Sequence, residues 1–315
     1  MKFKVFPIIC LCCLLIPTLI FAQNNTTPSY YSIDKKLSEQ LETMVDEVGL
    51  SGDFTVIEDG KEQISFAVIE LGKGKPKLAG VNYENFIYPA SVYKMYVAAE
   101  VLNQASNNTF DLNDYYVVKS PNDVDRSKEL AFDPRPLLHD GDSVTYNYLL
   151  DLMITRSDNS AANCMIDIAQ RPNINQIIEL YNWQGSEVTR KFLGRKLEDP
   201  AYKDAPGTMT SALHAADFMY RVQTNQLINP WVSMQMKALL GRQLDKSKLA
   251  AGLPIQVMYY HKTGWWADWT NDVGIVDDGK IQYIIACFVP LKEELAGPKM
   301  KELSKRVYEL MKARK

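Results

Sequence analysis

The chain of 315 residues has only three histidines, His139, His214 and His261. They stand far apart, without the close spacing that brings two imidazoles to one metal ion, and no Gly-x-Ser-x-Gly elbow occurs. These absences argue against a metal centre and against a histidine-activated serine. Cysteine is scarce too: Cys10, Cys12 and Cys13 fall in the first 22 residues, which leaves Cys164 and Cys287. Two are too few for a disulfide scaffold; they either pair in an oxidising compartment or stay as buried thiols. Charge of one sign is missing as well. With 35 Lys and Arg against 38 Asp and Glu, a formal net charge of −3 leaves no basic footprint for nucleic acid and no acidic tail. There is no internal repeat and no low-complexity segment. What is present, 46% hydrophobic and 23% charged residues, suits a large buried core in one sizeable domain or two interleaved ones.

One long apolar run exists, at the N-terminus. Lys2 and Lys4 precede the apolar residues 5–21, and Ala22 is the last small residue before the polar Gln23-Asn24-Asn25-Thr26-Thr27. The run is short and interrupted by Pro7 and Pro17, so residues 1–22 read as a secretory signal peptide rather than a membrane span. A short membrane anchor is the alternative, and the cysteines inside it lie in a poor context for lipid attachment.

Residues 32–48 carry Ile33, Leu37, Leu41, Met44, Val45 and Val48 at helical spacing. Residues 53–57 and 63–71 are rich in Val, Ile and Phe and read as strands; Gly72-Lys73-Gly74-Lys75-Pro76 turns the second into a hairpin with 77–81. After Pro89 comes a helix that is apolar nearly all round, hence central and buried. Residues 103–143 read as loops with short helical pieces, and helices are expected over 144–156, 159–169, 173–181, 211–222 and 230–240. Between them, 183–210 has no period and reads as a long surface loop. Strands return at 255–261, 272–276 and 280–290, and a last helix starts near Gly297. Strands at both ends with helices between predict an α+β architecture. An antiparallel sheet built from 23–90 and 241–315 is flanked by helices, and 91–240 forms an all-helical lobe.

Three short motifs carry the chemistry, in the order Ser91-x-x-Lys94, Ser157-Asp158-Asn159 and Lys262-Thr263-Gly264. On a helix beginning at Ser91, Lys94 leaves the same face one turn later, and burial there would favour its neutral, basic form. That is a nucleophile with a base beside it. The first motif alone means little, because Ser32-Ile33-Asp34-Lys35 also matches it in an exposed charged helix. Taken singly, the second is a helix cap and the third a strand end. Their co-occurrence, with the third on an expected strand, raises the set above chance.

The same three motifs are the signature of class A β-lactamases and penicillin-binding proteins, and the chain resembles that family from about Gln63 onward. The match extends over Ser157-Asp158-Asn159-Ser160-Ala161-Ala162-Asn163, the start of the helix at 208–216, and Asn271-Asp272-Val273-Gly274. The aspartate in the middle motif is most similar to the class A branch. The resemblance implies a serine β-lactamase/transpeptidase-like fold and a monomeric, cofactor-free and metal-free serine hydrolase of the bacterial envelope or periplasm. Ser91 would attack the acyl carbon, with Lys94 and Ser157 moving the proton. Its own N–H and that of Trp265 would hold the oxyanion, and Gly264 would keep the strand open to the ligand. Lys262 and Thr263 would take a substrate carboxylate, and Asn159 a side-chain amide; Asp158 is read as structural.

One part of the family pattern is not reproduced. Class A enzymes carry a loop glutamate two residues after an arginine, followed by Leu-Asn, that activates the deacylating water. Here Glu198 lies three residues after Arg195 and no Leu-Asn follows, so either Glu198 or Asp199 is the substitute or no loop carboxylate acts. Trp265 and Trp266 are bulky for the rim. The leading expectation is a class A-like β-lactamase. The alternatives are a penicillin-binding, D,D-peptidase-like or esterase enzyme that is acylated and slowly turned over, with a small β-lactam or acyl-peptide as substrate, and an inactive binding module.

Overall fold

The computed structural model describes residues 23, 26–57, 60–125 and 133–315; the signal segment expected over 1–22 lies outside them. Strand β1 (Ser32–Ile33) precedes helix α1 (Lys35–Glu47), whose start is set by the Asp34 carboxylate accepting the Leu37 N–H at 2.9 Å. A cap at Asp34 therefore breaks the helical spacing read from residue 32 onward. Next come β2 (Phe54–Val56), β3 (Gly60–Glu62), β4 (Ser65–Leu71), β5 (Lys77–Val81) and β6 (Phe86–Ile87). A 3-10 turn, Ala90–Tyr93, then opens into α2 (Lys94–Ser106).

The segment 103–143 departs from expectation. Among its described residues there is a strand, β7 (Tyr115–Val117), paired with β8 (Ser143–Thr145), in place of short helical pieces. Helix α3 (Tyr146–Asp151) loosens into a π-helical turn at Leu152–Arg156, followed by α4 (Asn159–Ala169) and α5 (Arg171–Leu180). The long loop holds only 3-10 turns at Arg195–Leu197 and Pro200–Tyr202 before β9 (Thr210–Ser211), α6 (Ala212–Gln223) and α7 (Pro230–Leu240). The chain closes with β10 (Met258–Trp266), β11 (Trp269–Asp277), β12 (Gln282–Val289) and α8 (Glu293–Ala313).

Six strands form the main sheet in the order β1-β5-β4-β12-β11-β10, with β1–β5 the one parallel pair. The two ends of the chain meet where β4 pairs β12, Ala67 opposite Ala286. Successive side chains of these strands point to opposite faces. Val68 and Ile285 join α1 and α8 in one core, while Ile69 and Ile284 join α2 and α6 in the other. Burial on both faces explains why β4 and β12 read as near-continuous apolar runs.

Helix α2 lies at the centre of the larger core, with every residue from Lys94 to Leu102 buried. Each fully buried Val, Leu or Met contributes about 1.5–3 kcal/mol, so this helix is firmly held. Strand β10 runs on to Trp266, past the end expected at residue 261, because Lys262 and Thr263 are paired to Val273 and Asp272. Cys164 and Cys287 are both buried free thiols, on α4 and β12. Burial pushes the Cys164 thiol up to about 12 and Cys287 higher still.

Candidate active site

The turn before α2 is pinned from two sides. The Asn271 side-chain amide donates to the Tyr88 carbonyl at 3.1 Å, and the Val92 N–H donates to the Pro89 carbonyl at 3.1 Å. Ala90 takes a left-handed φ of 46° to make the bend. Ser91 thus sits on a 3-10 turn and Lys94 opens the α-helix, rather than both lying on one α-helical turn. The consequence is the same: the two are buried side by side, Ser91 8% exposed and Lys94 fully covered.

The middle motif arrives between α3 and α4. After the π-helical turn, Ser157 adopts the left-handed region (φ 60°, ψ 36°), and Asp158 caps α4 by accepting the Ala161 N–H at 2.8 Å. The second Asp158 oxygen pairs with Arg156 at 2.8 Å, both side chains being almost wholly buried. Asp158 is thus a structural residue, and breaking this pair would cost about 3–5 kcal/mol.

Lys94 Nζ donates to the Ser157 carbonyl and to Asn159 Oδ1, each at 2.7 Å, and lies 3.4 Å from Ser157 Oγ. From the opposite side Lys262 Nζ donates to Ser157 Oγ at 2.9 Å and to the Thr263 carbonyl at 2.7 Å. Two lysines therefore converge on one hydroxyl. Strand β10 also brings Gly264 against the turn: a Cβ there would lie 2.7 Å from Ser91 N and 2.6 Å from the Pro89 carbonyl oxygen. Only glycine allows this approach.

Asn159 is held by a residue that the sequence did not single out. Asp125 Oδ2 accepts its N–H at 2.6 Å, and Asp125 Oδ1 accepts its side-chain amide at 2.9 Å. Asp125 lies in irregular backbone without a periodic signal, so only the fold reveals it. Behind Lys262, buried His261 shares a hydrogen bond with Asp272 at 2.9 Å and faces Lys246 Nζ at 3.0 Å. Burial lowers the His261 pKa from its ordinary 6.5, with Asp272 opposing that shift.

The long loop changes the reading of its carboxylates. The Glu198 side chain is wholly buried and committed to structure. Oε1 accepts from Arg171 at 2.5 Å and from the Asp199 N–H at 3.0 Å, while Oε2 accepts the Lys191 N–H at 2.9 Å. Asp199 pairs with Arg171 at 3.1 Å. Both carboxylates, Glu198 among them as the expected water-activating group, are engaged with Arg171 on α5. The loop residue that faces Lys94 is Phe192, whose ring centre lies 4.2 Å from Nζ. Asn163 fixes that residue's backbone, accepting its N–H at 2.7 Å and donating to its carbonyl at 3.3 Å, and Tyr93 stacks on the ring at 4.7 Å. Phe192 follows Arg190 by two residues, the spacing the family pattern gives its glutamate; a search confined to carboxylates passed over it.

The space among Ser91, Ser157, Thr263, Gly264 and Trp265 amounts to about 30 Å³, room for one water-sized group. Asn159 and Phe192 line a second cleft, of about 630 Å³. Trp265 and Trp266 stand half exposed at the rim. Among the described residues, no group of three or more His, Cys, Asp and Glu side chains is placed to hold a metal ion.

The model of the Beta-lactamase enzyme family matches residues 52–311. None of the curated proteins matches the chain. Solved structures do. A beta-lactamase from Sphaerobacter thermophilus DSM 20745 superposes with a TM-score of 0.71 at 18% identity, covering 87% of this chain and 98% of that one. An ancestral class A beta-lactamase gives 0.70 at 19% identity, covering 87% and 99%. A variant of PBP-A, in an acyl-enzyme complex with penicillin G, gives 0.73 at 18% identity, covering 90% and 98%. At these identities the likeness is one of fold.

Proposed function

Because the chain belongs to the beta-lactamase enzyme family, we propose that this hydrolase opens β-lactam rings on Ser91 and then releases the acyl group slowly. Ser91 Oγ attacks the carbonyl carbon while its proton passes to Lys94 Nζ. The oxyanion sits against the N–H groups of Ser91 and Trp265, which the absence of a Cβ at Gly264 leaves reachable. As the C–N bond breaks, the ring nitrogen takes the Ser157 proton, which Lys94 restores. The 3.4 Å and 2.9 Å contacts of Ser157 Oγ with the two lysines support this relay. Lys262 and Thr263 receive the substrate carboxylate, and the remaining Asn159 amide hydrogen receives the acyl side chain.

Phe192 over Lys94 is the observation that carries slow release. Hydrolysis of an ester by water needs a base to take the water proton, a contribution of about 10²–10⁴ in rate. The loop offers a phenyl ring at that place, and Glu198 and Asp199 are turned to Arg171. A PBP-A variant of the same fold forms an acyl-enzyme complex with penicillin G, in keeping with acylation of Ser91. We further place the protein, as a monomer, in the bacterial envelope, exported on residues 1–22.

A chromogenic cephalosporin mixed with purified protein tests the proposal. The expected result is a colour burst of about one equivalent followed by slow release, with a mass adduct on Ser91. Rapid steady turnover would overturn slow release. Absence of any adduct, even with a fluorophosphonate, would leave a binding module.

A further inference from the structure

The 630 Å³ cleft has a chemistry of its own. Its walls are aromatic: Tyr88, Tyr93, Phe192, Trp266 and Trp269 all line it. Most are fixed in place, Tyr88 edge-on to Trp269 at 5.4 Å and Trp269 Nε1 donating to Glu62 at 2.5 Å. Its loop side carries three cations, Arg190, Lys191 and Arg195, and among the described residues no carboxylate lines it, although acidic residues outnumber basic ones in the chain.

The three cations are not equivalent. Lys191 Nζ is bound to Asp167 at 2.5 Å, and Arg190 donates to the Lys203 carbonyl at 3.3 Å with Glu198 at 3.7 Å. Arg195 is exposed, and although its carbonyl accepts the Glu198 N–H at 3.3 Å, its side chain has no hydrogen-bond or ion-pair partner among the described residues. Its guanidinium thus stands at the mouth of an aromatic slot that begins at Asn159, itself bonded to Lys94.

We propose that this cleft receives the acyl side chain of the substrate and selects a flat, aromatic group bearing a carboxylate, with Arg195 as the residue that reads the charge. The proposal rests on acylation of Ser91 as set out above. The aromatic walls provide area for a ring at little entropic cost to the protein, and a guanidinium pairs a carboxylate through two parallel N–H donors.

Benzylpenicillin and its α-carboxylated analogue carbenicillin share the phenyl group and differ by the charge. The second-order rate of Ser91 acylation by each is followed by intact mass at low ionic strength. Carbenicillin is expected to react faster with the native protein, and Arg195→Glu to lower the ratio of the two rates by about fivefold, an exposed charge contact being weak and screened by salt. Arg195→Lys retains part of the preference. A ratio that is the same in the native protein and Arg195→Glu overturns the inference while leaving acylation standing. Failure of both penicillins to label Ser91 overturns acylation and this inference with it.

Discussion

The cluster around Ser91 and the loop that crosses it are built on opposite plans. In the cluster, Ser91, Lys94, Ser157, Lys262 and Thr263 come from both lobes, are buried, and aim polar atoms at one small space. In the loop, Glu198, Asp199, Arg190 and Lys191 are engaged in ion pairs that hold the loop in place, and what it turns toward Lys94 is a hydrocarbon ring. Forming an acyl-enzyme and discharging it are thus separate structural problems. A protein of this fold can hold one arrangement tightly while altering the other. Phe192 packs over the buried Lys94 Nζ and supplies no group that could activate water.

The comparison breaks first at the nucleophile. Ser91→Ala should abolish the mass adduct completely with the thermal midpoint unchanged; an adduct that persists would remove Ser91 from the chemistry. Next comes the floor of the site. Gly264→Ala would set a methyl group 2.7 Å from Ser91 N, and acylation should fall by about 10²–10³, the cost of losing an oxyanion donor. A rate within twofold of native would show that the strand yields.

The loop side predicts a different readout. Glu198→Gln leaves buried Arg171 with only the half-exposed Asp199 as charge partner, so stability should drop, by up to roughly 3 kcal/mol in denaturant unfolding, while the lifetime of the acyl-enzyme stays the same. A changed lifetime with unchanged stability would return Glu198 to the chemistry. The smallest effect concerns the support behind Lys262. His261 has its pKa lowered by burial, so the folded state holds it neutral. The unfolded chain takes up the proton near 6.5; this contribution is therefore intact above that pH and is lost as pH falls below it toward the lowered folded value. His261→Gln should flatten that slope between neutral and mildly acid pH, and an identical slope would show that other groups set it.

Much of this was legible in the chain itself. The apolar encirclement of residues 92–102 announced a buried helix, and the three motifs announced which side chains would meet, because each motif works through backbone geometry that short spacings specify. The sheet could be read from both ends because β4 and β12 are covered on both faces. The rest depends on long-range placement. Asp125 reaches Asn159 across 34 residues of chain through irregular backbone, which no periodicity records. Strand β10 continues through polar Lys262 and Thr263 because tertiary pairing outweighs propensity. Phe192 was hidden for another reason: a search for a carboxylate looks past a phenyl ring, although the spacing from Arg190 marks the position. Glu198 drew attention by its chemistry, yet its buried partners decide its role.

The central claim is that the loop, and not the serine cluster, sets the lifetime of the acyl-enzyme. It is tested most directly by acylating the native protein and Phe192→Glu with penicillin G, removing free drug, and following the Ser91 adduct by intact mass. A carboxylate placed over Lys94 should shorten the adduct's lifetime by at least about tenfold, within the range a general base supplies, with the rate of acylation changed far less. Equal lifetimes in the two proteins, or a native adduct that disappears as fast as it forms, would contradict the account.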